Sequence, residues 1–120
     1  MSEIIYLTDL AVINCIVEKA SSEAVLLAAR DVGARGAIVH SAQGWGVRER
    51  LGALGVAVET ERDIIMILVS SDQQDLIFDA IYQAAGLDAP GRGFMFISPV
   101  EKGAAYVPAE VRERLGVNPE

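Results

Sequence analysis

The sequence has little of what covalent or metal chemistry usually needs. Its 120 residues include one cysteine, one histidine and one tryptophan. A single cysteine forms no disulfide within the chain, which fits a reducing compartment. Cys15 lies in the apolar run 11–17, and no basic residue within two positions lowers its pKa. It reads as a small buried apolar side chain. Basic residues number 10 against 17 acidic ones, for a formal net charge of −7. With no long basic run, nucleic-acid binding is not the main task. A local anion site remains open, because a few cations can converge on one cleft. The longest apolar runs, such as residues 64–69, fall far short of a membrane span. Residues 1–8 lack the basic start and long apolar core of a signal peptide. The protein is therefore expected to be cytoplasmic, with no direct membrane insertion. No G-x-S-x-G, Cys–His arrangement or H-E-x-x-H is present. No catalytic residue is assigned, and the chain reads as a non-enzyme.

Apolar residues are what is abundant, at 52%. A chain of this length makes one domain and buries somewhat less than about 70% of its unfolded surface. That leaves apolar area for a subunit interface. Residues 9–17 are nearly all apolar and rich in Val and Ile, the pattern of a strand buried on both faces. Ser21 or Ser22 can cap a helix, with Glu23 against the positive end of its dipole. Val25, Ala28, Ala29 and Val32 share one face of it, and Gly33 and Gly36 end it. Residues 37–42 form the next strand.

A glycine-punctuated stretch, residues 43–62, follows and leads to an apolar strand over 63–70. Ser71 and Gln74 make a capping box, S-x-x-Q. The helix behind it carries Ile77, Ala80, Ile81 and Ala84 on one face and stops at Gly86. Pro90-Gly91-Arg92-Gly93 turns into a strand over 94–98. The tail, 103–120, suggests one short helix, with Pro108 in its first turn, a Glu110–Arg114 pair and Gly116 as terminator. Asp72, Asp75 and Asp79 read as the solvated side of the second helix. The order β-α-β-loop-β-α-β gives a ferredoxin-like α+β sandwich, a four-stranded antiparallel sheet with both helices on one face. The domain spans 1–120, with a core over about 9–102. A hairpin between the second and third strands needs two to five residues, so a loop over 43–62 asks for a functional reason.

GARGAIVHSAQGWG over residues 33–46, the long loop, a strand, a helix and PGRGFMFISPVEK over 90–102 together resemble the P-II nitrogen regulatory family. The resemblance covers roughly residues 10–102. It implies a homotrimer with adenine nucleotide, ATP, ADP or AMP, in the clefts between subunits as an effector; no cofactor is required. It implies a T-loop at 43–62 that reads the ligand state and docks on a membrane transporter or metabolic enzyme in nitrogen regulation. The sequence also departs from the family's pattern. The loop is several residues shorter and has no tyrosine, so it offers no loop tyrosine for nucleotidylation. Arg48 stands where the family carries a metal-binding Gln, and Phe94 where it carries a phosphate-binding Lys. The paired Arg residues of its fifth strand are absent, leaving Lys102. These features mark a divergent P-II-like branch. The alternative is a trimeric metal-responsive protein of the divalent-cation-tolerance type, against which scarce His and Cys count.

The candidate ligand-binding residues are Gly44, Trp45, Gly46, Arg48, Arg62, Gly91, Arg92, Gly93 and Lys102. Gly91 and Gly93 let backbone N–H groups approach an anion, and Arg92 can clamp a phosphate with its planar fork. The plainer reading is a helix-to-strand turn with a solvated Arg. Trp45 can pack on a purine, anchor a partner or seal the trimer interior. Arg62 falls about where the family has a Lys that reaches a 2-oxoacid or a phosphate. Arg48 and Arg62 are read as ligand contacts, and Glu49, Glu59 and Glu61 as solvated charges. His40, on a face with Ile38 and Ala42, is read as a satisfied polar strand residue rather than a zinc ligand. No metal ligand is assigned.

Overall fold

The structure, a computed structural model, describes residues 4–44 and 60–111. Alternation sets the sheet. Strand β2, Leu10–Glu18, fully buries Ala11, Ile13, Cys15 and Val17, and leaves Val12, Asn14 and Ile16 half-buried on the other face. A single 3₁₀ turn, Lys19–Ser21, leads into helix α1, Ser22–Asp31. Strand β3 is Ile38–Gly44, β4 is Thr60–Ser70, helix α2 is Gln74–Ala85 and β5 is Gly93–Val100. The four strands form an antiparallel sheet in the order β3-β4-β2-β5, the ferredoxin-like βαββαβ arrangement expected from the order of elements.

The register decides the core. Ile13 lies opposite Ile67 on one side and Ile97 on the other, and Cys15 opposite Ile65 and Met95. Val25 and Ala29 of α1 and Ile77 and Ile81 of α2 close over this face. Each fully buried Ile or Val contributes about 1.5–3 kcal/mol relative to exposure.

The opposite face of the sheet differs from the expectation. The nearly all-apolar run over 9–17 reads as a strand covered on both sides. Here only one side meets the helices. The other carries Ile16, Ile64, Met66, Leu68, Phe94 and Phe96, and Leu68, Phe94 and Phe96 are exposed.

Helix starts also depart from the sequence reading. Ser21 stands before α1 without capping it, and the Ser22 hydroxyl is used elsewhere. The S-x-x-Q box does not form: α2 begins at Gln74 behind Gln73 with no side-chain cap. The Ser71 amide instead donates to the Asp9 carbonyl at 2.8 Å. Gly86 ends α2 as expected, with φ 65° and its N–H turned back on the last turn. The Val111 N–H donates to the Pro108 carbonyl at 3.0 Å, opening a helical turn in the tail. Arg114 and Gly116 lie outside the described residues.

A two-stranded ribbon had no signal in the periodicity. Strand β1, Tyr6–Leu7, pairs with β6, Gly103–Ala104, and ties the segment before the core to the one after it. Strands this short are set by tertiary contact rather than by pattern.

Cys15 is fully buried, as expected, and burial pushes its thiol up to about 11 from 9.0. The folded state keeps the proton at pH values where the unfolded chain loses it. This contribution is fully present below about pH 9 and is lost as pH rises towards 11. Urea unfolding of the wild type should therefore weaken more steeply across that window than unfolding of Cys15→Ala. Parallel slopes would contradict the assignment.

Candidate functional site

Most of the described candidate residues gather at one end of the sheet. Val17 lies opposite Gly93, Glu18 opposite Arg62, Ala42 opposite Arg62 and Gly44 opposite Thr60. The roots of segment 45–59 and the 90–93 turn therefore share this end. They are also bonded to each other. Arg62 is buried, and its Nη1 donates to the Gly91 carbonyl at 3.2 Å.

The turn has little room. Gly91 has φ 76° and Gly93 φ 143°, both unfavourable for an L side chain. A Cβ on Gly93 would lie 2.2 Å from the Ile16 carbonyl oxygen and 3.1 Å from Val17 Cα. Backbone thus packs on backbone here, and residue 92 is pinned beside the end of β2.

Arg92 does not stand free in solvent. Its Nε lies 3.0 Å from Glu18 Oε1, and Nη2 donates to Ser21 Oγ at 3.3 Å. The guanidinium lies over Gly86, where a Cβ would sit 3.5 Å from it, at the negative end of the α2 dipole. The Nε–H is shielded from water but is not aligned on an acceptor, so the contact with Glu18 is Coulombic rather than a hydrogen bond. A second pair, Lys19 Nζ to Glu61 Oε2 at 3.6 Å, is more exposed and contributes at most about 1 kcal/mol.

Beside this cluster Asp63 is buried on the helix face. Ser22 Oγ donates to its Oδ2, and Ser41 Oγ donates to its Oδ1 at 3.2 Å. One carboxylate thereby ties the start of α1 to β3 and β4, and each of its oxygens accepts a hydrogen bond. This explains the unused helix cap: Ser22 spends its hydroxyl on a tertiary partner.

Lys102 does not join the group within one chain. It follows β5 at the far end, where Leu10 lies opposite Val100, and its Nζ sits 4.6 Å above the Tyr6 ring. Eight steps of β2 at about 3.3 Å each separate the two ends by roughly 26 Å. Trp45, Gly46 and Arg48 lie outside the described residues, as do Glu49 and Glu59. Strand β3 runs on to Gly44 and β4 begins at Thr60, so both strands extend into the stretch read from sequence as a loop over 43–62. Phe94 is 63% exposed, with its ring centroid 5.9 Å from that of Phe96. His40 is exposed on β3. Among the described residues no three His, Cys, Asp or Glu side chains lie together as a metal site, and no helix is long and apolar enough to cross a membrane.

Sequence reasoning did not single out Glu18, Ser21, Ser22, Ser41 or Asp63. The available signal was a charge at each end of an apolar run, Glu18 closing one strand and Asp63 opening another. A separate cavity of about 250 Å³, lined by Leu26, Arg30, Ala34 and Ile67 among others, contains none of the candidate residues.

The family model "Nitrogen regulatory protein P-II" matches residues 10–106. Among solved structures, the crystal structure of Arabidopsis thaliana PII bound to citrate is similar, with a TM-score of 0.62 and 23% identity over 78% of this chain and 79% of that one. At that identity the likeness shows the fold. No curated protein matches the sequence.

Gly93 gives the most direct test of this geometry. Gly93→Ala should cost on the order of 3 kcal/mol, combining backbone strain with a clash that only main-chain movement relieves. Gly36, with nothing within 4 Å of its Cβ position, is the control; Gly36→Ala should stay within about 0.5 kcal/mol. Denaturant midpoints of the two variants decide the matter, and equal midpoints would refute the close packing at residue 93.

Proposed function

Because this chain belongs to the P-II family of nitrogen regulatory proteins, we propose that it is a trimeric sensor. In this reading an adenine nucleotide, ATP, ADP or AMP, binds at the clefts between subunits, and occupancy is reported through the segment after Gly44. The family is one of regulators, and the reading follows regulation rather than turnover. The observation that carries it is the bond from Arg62 to the Gly91 carbonyl. Arg62 stands near the start of β4, at one root of segment 45–59, and Gly91 belongs to the turn expected to hold phosphate. A ligand that reshapes the turn therefore acts on the root of the segment through one hydrogen bond.

Backbone N–H groups around Gly91 and Gly93, together with Arg92, hold a phosphate in this scheme. Gly44 ends β3 at this end of the sheet, Trp45, Gly46 and Arg48 are proposed as further ligand contacts, and Lys102 is proposed to reach the cleft from the neighbouring subunit. Bound and empty states differ in the contacts they allow the segment, which is what a population shift requires. The target is a membrane transporter or a metabolic enzyme in nitrogen regulation, engaged or released by residues 45–59.

The trimer is supported by the half-exposed apolar face of the sheet. Ile16, Ile64, Met66, Leu68 and Phe96 form a patch around β2, the strand whose sequence reads as covered on both sides. Large apolar patches of this kind mark interfaces. Three copies with these faces turned inward complete the second layer that β2 lacks in one chain. The metal-responsive alternative finds no group of three ligating side chains among the described residues; tight copper or zinc binding by the purified protein would restore it.

Two measurements test the reading. Calorimetry with ATP, ADP and AMP should give one site per subunit for at least one of them, and Arg92→Gln should weaken that binding about tenfold, the worth of one charge-assisted contact. Silence with all three nucleotides removes the nucleotide clause. Sedimentation should show a trimer at micromolar concentration, and Phe96→Asp should yield folded smaller species. A wild-type monomer would remove the cleft itself.

A further inference from the structure

We propose that the cavity between helix α1 and the start of β3 is a second binding site, one that takes a small monocarboxylate with an apolar body of about six carbons. It lies apart from the 90–93 turn and stands whether or not the nucleotide reading holds.

The space follows from the edge of the sheet. Strand β3 is an edge strand. Val39 lies opposite Ile65 and so faces the helix side, yet it is 43% exposed while Ile65 is fully buried. The helix layer therefore stops short of this strand. The chain reaches β3 through Ala34, Arg35, Gly36 and Ala37, and a Cβ on Gly36 would meet nothing within 4 Å. What remains is a cavity of about 250 Å³. An apolar cavity of about 150 Å³ holds benzene, so a six-carbon body with a head group fits the volume.

The lining sorts by charge along one side of α1. Glu23, Leu26, Leu27 and Arg30 all line the cavity, at helical steps that keep them on one face. Glu23 and Arg30 stand two turns apart, about 10 Å along the axis. Leu26 and Leu27 lie between them, and buried Ala29 and Ile67 line the same space. The Ala34 N–H donates to the Ala29 carbonyl at 2.9 Å, which sets Arg35 beside the last turn of α1 with Arg30. Both arginines are exposed, and among the described residues neither makes an ion pair or a side-chain hydrogen bond. Asp31, the other carboxylate of this turn, does not line the cavity. Two unused guanidinium forks beside apolar walls match a carboxylate with a hydrocarbon body. The forks take the head group, and Leu26, Leu27 and Ile67 take the tail. Glu23 at the opposite end works against a second carboxylate on the same ligand, which makes the class a monocarboxylate.

Hexanoate is the probe, with hexanol, hexylammonium and adipate as its neutral, cationic and dicarboxylate counterparts. Titration of the full chain, followed by amide chemical shifts, should give a Kd on the order of 1 mM, the affinity of a fragment-sized ligand. The shifts should gather at residues 23–37 and at Ile67. Each counterpart should bind at least about fivefold more weakly. Combining Arg30→Gln with Arg35→Gln should weaken hexanoate about tenfold. Ala37→Leu, which fills the space from the helix side of the β3 entry, should remove binding with both arginines in place. Thermal unfolding close to that of wild type shows that the variants keep the fold. Shifts gathered instead on Ile16, Leu68 and Phe96 overturn the site. So do counterparts that bind as tightly as hexanoate, or variants that bind it as wild type does. None of these results bears on nucleotide binding at the 90–93 turn, which calorimetry reads separately.

Discussion

The 90–93 turn is pressed onto strand β2 at Gly93, where the Ile16 carbonyl oxygen fills the space a side chain would need. Much else at this end of the molecule follows from that contact. It brings β5 against β2 with Val17 opposite Gly93 and Cys15 opposite Met95. It holds Arg92 where Glu18 and Ser21 can reach it. It leaves the Gly91 carbonyl within range of Arg62. A packed turn of this kind is held by main-chain contact rather than by buried apolar bulk.

The sheet divides the energetics in two. On the helix side, Ile13, Ile65, Ile67, Ile77 and Ile81 are fully buried and supply most of the hydrophobic stabilisation of a single chain. On the other side, residues of the same type stay half-buried or exposed. A domain of this size has little stability to spare, and this second apolar face adds less to it than the helix-covered one. The same strands thus carry the buried core on one face and half-buried or exposed apolar residues on the other, with alternate residues assigned to each.

Between these apolar faces the polar residues form a small relay. Asp63 ties the start of α1 to β3 and β4 through two serines, and Arg62, its neighbour in sequence, reaches the turn before β5. Consecutive residues of one strand point to opposite faces. Asp63 is therefore held on the helix side while Arg62 lies on the other face and reaches the 90–93 turn. Glu18 and Arg92 add an ion pair at the same end. The start of β4 and the 90–93 turn are thus joined by a hydrogen bond rather than by mere proximity.

Local pattern was enough for the order of elements. The apolar runs, the 3.6-residue faces of Val25 and Ala29 and of Ile77 and Ile81, and the stop at Gly86 are properties of neighbouring residues, and each reappears in the fold. The likeness to P-II was legible for the same reason, from ordered motifs and element lengths, whereas the meeting of Gly44, Arg62, Gly91, Arg92 and Gly93 at one end of the sheet is set by strand register. Local pattern misled at the serines, whose capping role was displaced by partners far along the chain. Ser22 meets Asp63 41 residues away, Arg62 meets Gly91 29 away, and Arg92 meets Ser21 71 away. It also missed the ribbon of β1 and β6 and the placement of Lys102 over Tyr6 at the other end of the sheet. Which elements form was decided by the sequence, because periodicity is a short-range property. Which side chains meet, and whether Arg92 is free or already held, was decided only by the tertiary structure, because strand register and loop closure set those distances.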